Sequence, residues 1–186
     1  MRTRLMAIVV LGLILATAFA APSAYAEETT CRGRLGAVTV DNLRVPQGGS
    51  CTLNGTYIKG TLKVESRASL SASRITVIGN IQAEGHASVT VKGSTVGGSI
   101  QIKQGGSATV DGVRVNGDIQ YDSNNRKLAA NNNTVGGSIQ VMKNTGGVEI
   151  RRNRVDGNLQ CKENRPAPTG GGNIVQGNKE DQCARL

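Results

Sequence analysis

Apolar and polar residues recur along this chain at a long, fixed period. A glycine is followed two residues later by an aliphatic residue and three residues later, in most copies, by glutamine. These copies begin at Gly60, Gly79, Gly98, Gly117, Gly137 and Gly157, with a degraded copy at Gly177. The first three steps between glycines are 19 residues and the next three are 20. A fixed period of this length predicts stacked repeats.

Within each copy, apolar and polar positions alternate, which is typical of a strand with one buried face. The first apolar column consists of Leu62, Ile81, Ile100, Ile119, Ile139 and Leu159. Two further alternating segments follow in each copy, as in Val89/Val91 and Val96, and Gly, Asn and Ser are frequent between them. Each repeat therefore contains three short strands separated by corners.

A strand unit of 19–20 residues without a helix cannot bury its own apolar face, but neighbouring units can bury one another's faces. We therefore predict an all-β protein, a single-stranded parallel β-helix (solenoid) of about seven coils with three short strands per coil. We expect a right-handed coil, because parallel crossovers strongly prefer that hand. The chain has no Trp and only one Phe, so thin layers of small aliphatic side chains fit it better than a conventional globular core does.

The N-terminal segment has the features of an export signal. Arg2 and Arg4 precede an apolar run, and Ala24-Tyr25-Ala26 fits a signal peptidase site. We divide the chain into a signal peptide (1–26), an N-terminal cap with the first coil (27–51), solenoid repeats (52–176) and a C-terminal cap (177–186). The processed protein is expected to be secreted, either extracellular or associated with the cell wall, without integral membrane contact.

Four cysteines form two pairs near the two ends of the processed chain. In an exported protein an even number of cysteines indicates disulfides rather than a metal site. Residues one coil apart lie close enough to be bridged, so we predict Cys31–Cys51 and Cys161–Cys183, each closing a terminal coil. Lys179, Glu180 and Asp181 are expected to blunt the last coil, because charge on an edge strand discourages further pairing.

The repeated Gly-Gly-Ser-Ile-Gln, the segment from Val38 to Leu43 and the ending from Asn158 to Cys183 resemble small secreted, cysteine-capped, Gly-rich repeat proteins of actinobacteria. This resemblance covers nearly the whole processed chain and implies an exported bacterial β-solenoid. A weaker similarity links the repeat to bactofilins, which are cytoskeletal β-helices that polymerise end to end. The export signal and the cysteine-closed ends depart from that pattern, so we expect a monomer.

The residues that could carry chemistry are sparse. Asp111 with Asp118, or Asp118 with Asp122, are the only carboxylate pairs that suggest acid–base hydrolysis, and a polar ladder on the surface explains Asp118 more simply. His86 lies in the turn-like segment Glu84-Gly85-His86 and is interpreted as a surface residue rather than a catalytic base. The outward glutamines are interpreted as a hydrogen-bonded ladder, with a glycan-binding face as the alternative. We expect no catalytic residue, no metal and no cofactor.

Charge is the remaining indication of function. Without Arg2 and Arg4 the chain keeps 20 basic and 13 acidic residues, a formal charge of +7. Basic residues concentrated in neighbouring coils form a candidate polyanion-binding set: Arg114, Arg126, Lys127, Arg151, Arg152 and Arg154. No aromatic platform accompanies them, so specific nucleic-acid binding is not expected. The sequence favours a non-catalytic, rigid extracellular structural or surface-binding protein. An anionic cell-wall or extracellular polymer is the partner that a basic face would suit, and charge dispersed over the surface for solubility is the competing interpretation. The alternative is a polysaccharide-active lyase or hydrolase.

Overall fold

The computed structural model describes residues 27–186, so the predicted signal peptide at residues 1–26 lies outside the described residues. Within that range the chain forms strands, turns and bends and contains no helix. The strands form three parallel sheets that wrap around a common interior. The prediction of an all-β parallel solenoid is confirmed.

Every turn contributes one strand to each sheet. The first sheet contains β1 (Glu28–Thr30), β4 (Asn42–Val45), β7 (Leu62–Val64), β10 (Ile81–Glu84), β13 (Ile100–Lys103), β16 (Ile119–Asp122), β19 (Ile139–Met142), β22 (Leu159–Lys162) and β25 (Lys179–Asp181). The second contains β2 (Gly33–Leu35), β5 (Ser50–Asn54), β8 (Ser69–Ser73), β11 (Ser88–Lys92), β14 (Ser107–Asp111), β17 (Leu128–Asn131), β20 (Val148–Arg151) and β23 (Thr169–Gly171). The third contains β3 (Thr39–Val40), β6 (Tyr57–Ile58), β9 (Thr76–Val77), β12 (Thr95–Val96), β15 (Arg114–Val115), β18 (Thr134–Val135), β21 (Arg154–Val155) and β24 (Ile174–Val175).

The described chain completes eight turns and adds a ninth strand to the first sheet, so the prediction of about seven coils is too low. The motif copies from Gly60 to Gly177 account for six complete turns and β25, whereas the first two turns, β1–β3 and β4–β6, lack the Gly-x-Leu/Ile-Gln pattern used to count repeats. Eight spacings of about 4.8 Å give a rod roughly 38 Å long.

The interior consists of aliphatic side chains stacked in register. Ile81 pairs with Ile100, and Ile100 with Ile119, and all three side chains are fully buried. The one aromatic residue among them is Tyr121, whose hydroxyl donates a hydrogen bond to the carbonyl of Ala129 at 2.7 Å. Burial raises the pKa of this phenol well above its ordinary value, so Tyr121 stays neutral and serves as a packing residue.

Both ends of the solenoid are closed as the cysteine spacing predicts. Cys31 is bridged to Cys51 with a Cα–Cα distance of 5.7 Å, and Cys161 to Cys183 with 5.2 Å. Two structural disulfides indicate an oxidising, extracellular environment. Lys179, Glu180 and Asp181 form β25, the charged edge strand of the first sheet. No helix in the described part of the chain has the length and apolar character needed to cross a membrane.

Candidate functional site

The six basic residues singled out from the sequence fall into two groups, one at each of the two corners that flank the strands of the second sheet. Arg151, Arg152 and Arg154 lie at the corner between the second and third sheets, and Arg114 lies at the same corner two turns earlier. Arg126 and Lys127 lie at the other corner, just before β17. The four residues Arg114, Arg151, Arg152 and Arg154 are exposed, and we call them the arginine ridge.

Register aligns the ridge along the rod axis. Arg114 pairs with Thr134, and Thr134 with Arg154. Two strand spacings, about 10 Å, therefore separate the backbones of the two arginines. Because side chains alternate across a strand, the outward arginines stand next to buried valines on their own strands.

A ladder of buried asparagines holds the corners that carry the ridge. Asn153 lies between Arg152 and Arg154 and is 1% exposed. Its side-chain amide donates to the carbonyl of Ala130 at 2.7 Å and to Oδ1 of Asn173 at 2.9 Å. Oδ1 of Asn133 accepts the backbone N–H of Val113, the residue before Arg114, at 2.9 Å. The ridge therefore stands on a backbone fixed by buried side-chain hydrogen bonds.

Partners within the ridge differ from residue to residue. Nε of Arg151 lies 3.3 Å from Oε1 of Glu149, a partly exposed ion pair. Nε of Arg152 donates to Oδ1 of Asn132 at 3.0 Å, which orients the guanidinium without neutralising it. In residues 27–186, Arg114, Arg152 and Arg154 form no ion pair. These three charges are available to an anionic partner.

A second asparagine ladder runs along the other corner of the second sheet. It comprises Asn124, Asn144 and Asn164, all at most 2% exposed. Oδ1 of Asn144 accepts the backbone N–H of Asn124 at 2.9 Å and its side-chain amide at 3.0 Å. From the sequence, these asparagines are interpreted only as corner residues between strands. Their recurrence at a spacing of 20 residues is the signal that could have identified the ladder.

His86 occupies the same column two turns before Asn124, and its interpretation as a surface residue is wrong. The residue is 2% exposed, and both ring nitrogens are buried without a hydrogen-bond partner in the described structure. Its ring fills the space that a side chain at Gly105 would need. Burial lowers the pKa of His86 below its ordinary value, because desolvation disfavours the imidazolium. His86 is therefore a neutral packing residue at neutral pH.

Asp118, the carboxylate common to both candidate pairs, belongs to a structural ladder. Its Oδ1 accepts the backbone N–H of Ser138 at 2.7 Å, while its own N–H donates to Oγ of Ser99 at 3.0 Å. Asp118 directly precedes β16 and Asp122 ends it, so the two residues lie about 13 Å apart by strand rise. Glycosidase carboxylates are separated by roughly 5 to 9.5 Å. Asp111, at the end of the second sheet, accepts a hydrogen bond from Asn132 instead.

The outer face of the first sheet carries the glutamine ladder and, at one end of it, a groove. Nε2 of Gln82 approaches Oε1 of Gln101 at 3.4 Å, and Gln101 approaches Gln120 at the same distance. The groove has a volume of about 670 Å³. We call it the amide groove, and it is lined by Lys63, Glu65, Gln82, Glu84, Gln101 and Lys103 together with neighbouring corner residues.

Among residues 27–186, no group of three or more His, Cys, Asp or Glu side chains is arranged to hold a metal ion.

Comparison of the chain with protein-family models, with curated proteins and with solved structures gives no significant match.

Proposed function

We propose that this protein is a secreted, non-catalytic, rigid binding rod that attaches to an anionic cell-wall or extracellular polymer through the arginine ridge. The observation that supports this proposal is the alignment of Arg114, Arg152 and Arg154 along one corner of the rod without carboxylate partners in the described structure. A polymer with regularly spaced carboxylate, sulfate or phosphate groups could contact several turns at once.

Rigidity supports the same proposal. The corners beneath the ridge are fixed by Asn133 and Asn153, so the arginine backbones need little further ordering on binding. A binding surface that is ordered beforehand loses less entropy on association. Arg126 and Lys127 lie at the opposite corner and would meet a different part of the polymer or none.

The test is the affinity of residues 27–186 for heparin and for polygalacturonate, measured by isothermal titration calorimetry at low and moderate salt. Arg114→Gln/Arg152→Gln/Arg154→Gln is compared with Arg32→Gln/Arg34→Gln/Arg165→Gln, which removes the same charge elsewhere. We expect the ridge variant to lose at least tenfold in affinity and the control less than threefold. Equal losses would assign binding to net charge alone and refute the ridge.

The alternative, a polysaccharide-active enzyme, has weaker support, because Asp118, which both candidate pairs need, is engaged in a structural ladder and Asp111 accepts a hydrogen bond from Asn132. Release of reducing ends or of unsaturated sugars from polygalacturonate, lost in Asp118→Asn, would favour the enzyme. We expect no release above the buffer control.

A further inference from the structure

The amide groove is a second surface with a chemistry different from that of the arginine ridge. Its charged side chains are two lysines and two glutamates, Lys63, Lys103, Glu65 and Glu84, so its formal charges balance. The processed chain as a whole is strongly basic. A groove of balanced charge on a basic protein is not suited to retaining a polyanion.

Register explains how these groups come together. Lys63, Gln82 and Gln101 stack at one position of successive turns, and Glu84 pairs with Lys103 at a second position, two residues further along the strands. The six residues named above as lining the groove span three turns, about 10 Å along the axis from first to last. The volume lies within the range of small-ligand sites. No side chain projects from Gly85 at the rim, so the groove stays open at that turn.

The hydrogen-bonding capacity of the groove is largely unused. Glu65 is held in place, because its Oε2 accepts the backbone N–H of Gln47 at 2.9 Å and its Oε1 lies 3.6 Å from Arg44. Glu84 and Lys103 form no ion pair in residues 27–186. Gln82 donates to Gln101, and Gln101 donates to Gln120, each over a long distance of 3.4 Å. Each glutamine keeps a further amide hydrogen and a carbonyl lone pair available.

We propose that the amide groove binds a short segment of an uncharged oligosaccharide. Amide, carboxylate and ammonium groups together donate to and accept from sugar hydroxyls, and an uncharged ligand leaves the balance of charges undisturbed. The chain supplies no aromatic platform at this place, so binding rests on hydrogen bonds and is weak, with a dissociation constant on the order of 0.1–1 mM. This site does not depend on the arginine ridge, and either one can exist without the other.

The experiment uses residues 27–186 labelled with ¹⁵N and titrated separately with cellotetraose, maltotetraose, chitotetraose and, as the anionic counterpart, tetragalacturonate. We expect saturable amide shifts centred on residues 63–66, 82–85 and 101–104 with at least one neutral tetrasaccharide. Tetragalacturonate should not produce the strongest shifts there.

Two variants distinguish a site from a general surface effect. Gln101→Ala removes an amide from the groove and should weaken binding about fivefold, as expected for the loss of one or two hydrogen bonds. Gln140→Ala removes the amide of the same ladder two turns further along, outside the groove, and should change the dissociation constant less than twofold. Both positions are on the outer face, so the fold should tolerate them, and far-ultraviolet circular dichroism checks this.

Three results would overturn the proposal: no saturable shift with any neutral tetrasaccharide up to about ten times the expected dissociation constant, equal effects of Gln101→Ala and Gln140→Ala, or tightest binding of tetragalacturonate in the groove. The last result would leave the ridge proposal open, because the two surfaces give shifts in different residues.

Discussion

Replacing Asn144 by alanine should destabilise the solenoid more than the truncation of any exposed asparagine. The Asn144 side chain is fully buried and takes part in four hydrogen bonds. It accepts from the backbone N–H and the side-chain amide of Asn124, and it donates to the carbonyl of Tyr121 and to Oδ1 of Asn164. Alanine can replace none of them.

The expected cost follows from the groups left without partners. The amide of Asn124 keeps its bond to Ile102, and Oδ1 of Asn164 keeps the backbone N–H of residue 144. The backbone N–H of Asn124 is left without the partner that Asn144 provides, at about 1–3 kcal/mol for a buried group, whereas the carbonyl of Tyr121 keeps its ladder partner in β19. Because packing of the buried side chain is also lost, we expect the free energy of unfolding to fall by about 2–3 kcal/mol.

The assay is urea unfolding of residues 27–186 with both disulfides intact, followed by circular dichroism. The matched control is Asn116→Ala, because Asn116 is exposed, and its effect should stay within about 0.5 kcal/mol. Asn144→Asp should be comparably destabilising at pH 7, because it places a carboxylate against two acceptor oxygens. Burial beside these acceptors raises the pKa of the new carboxyl above that of an unfolded aspartate, so stability should recover in part as the pH falls from 7 towards about 4, where the protonated carboxyl donates a hydrogen bond. A cost below 1 kcal/mol for Asn144→Ala would refute this account of the ladder.

The remaining predictions concern other parts of the solenoid. Gly106→Ala should unfold at clearly lower urea than Gly36→Ala, because a Cβ at residue 106 would overlap the carbonyl of Ala87, whereas residue 36 has open space around it; similar midpoints would contradict this. The free energy of unfolding should fall as the pH drops below about 6.5, because the pKa of His86 is lowered in the folded state and the unfolded chain therefore binds a proton at this histidine first. The measurement is thermal unfolding at pH 7 and 5.5, in a buffer whose anions bind proteins weakly. His86→Gln should reduce the pH dependence, and an unchanged dependence would exclude His86 as its source. Cys161→Ser/Cys183→Ser should cost about 3 kcal/mol in the chain-entropy model and should accelerate hydrogen exchange in β25 more than in β10, which lies far from this disulfide; uniform acceleration would argue against a local closing role.

The aliphatic residues that recur at equivalent positions of the repeats allowed the fold to be predicted in some detail. The aliphatic columns required stacking, since Ile81, Ile100 and Ile119 could be buried only against one another, and the cysteine spacing then placed one disulfide at each end. A coil was expected within residues 27–51, but the number of turns was underestimated because the two turns before Gly60 lack the repeat motif; β1, β2 and β3 are held by pairing with β4, β5 and β6. A turn of the solenoid can therefore form by strand pairing alone, without a copy of the sequence motif.

The candidate site was only partly visible in the sequence. The repeat length predicts that Arg114 and Arg154, which are two turns apart, share one column, and they do. Arg126 and Lys127 are separated from the ridge because they precede the strands of the second sheet, whereas the ridge lies at the corner where these strands end. Burial of His86 depends on Gly105 in the next turn leaving space for the ring, a relation between turns that composition and local spacing do not reveal. The amide groove likewise arises from side chains of three turns.

Binding through the arginine ridge can be mapped residue by residue. The measurement is the set of backbone amide shifts when a defined heparin oligosaccharide is added to ¹⁵N-labelled residues 27–186. We expect saturable shifts concentrated at residues 112–114, 132–134 and 151–154, with little change in the amide groove. Shifts spread evenly over all three sheets, or centred on residues 63–104, would contradict this expectation.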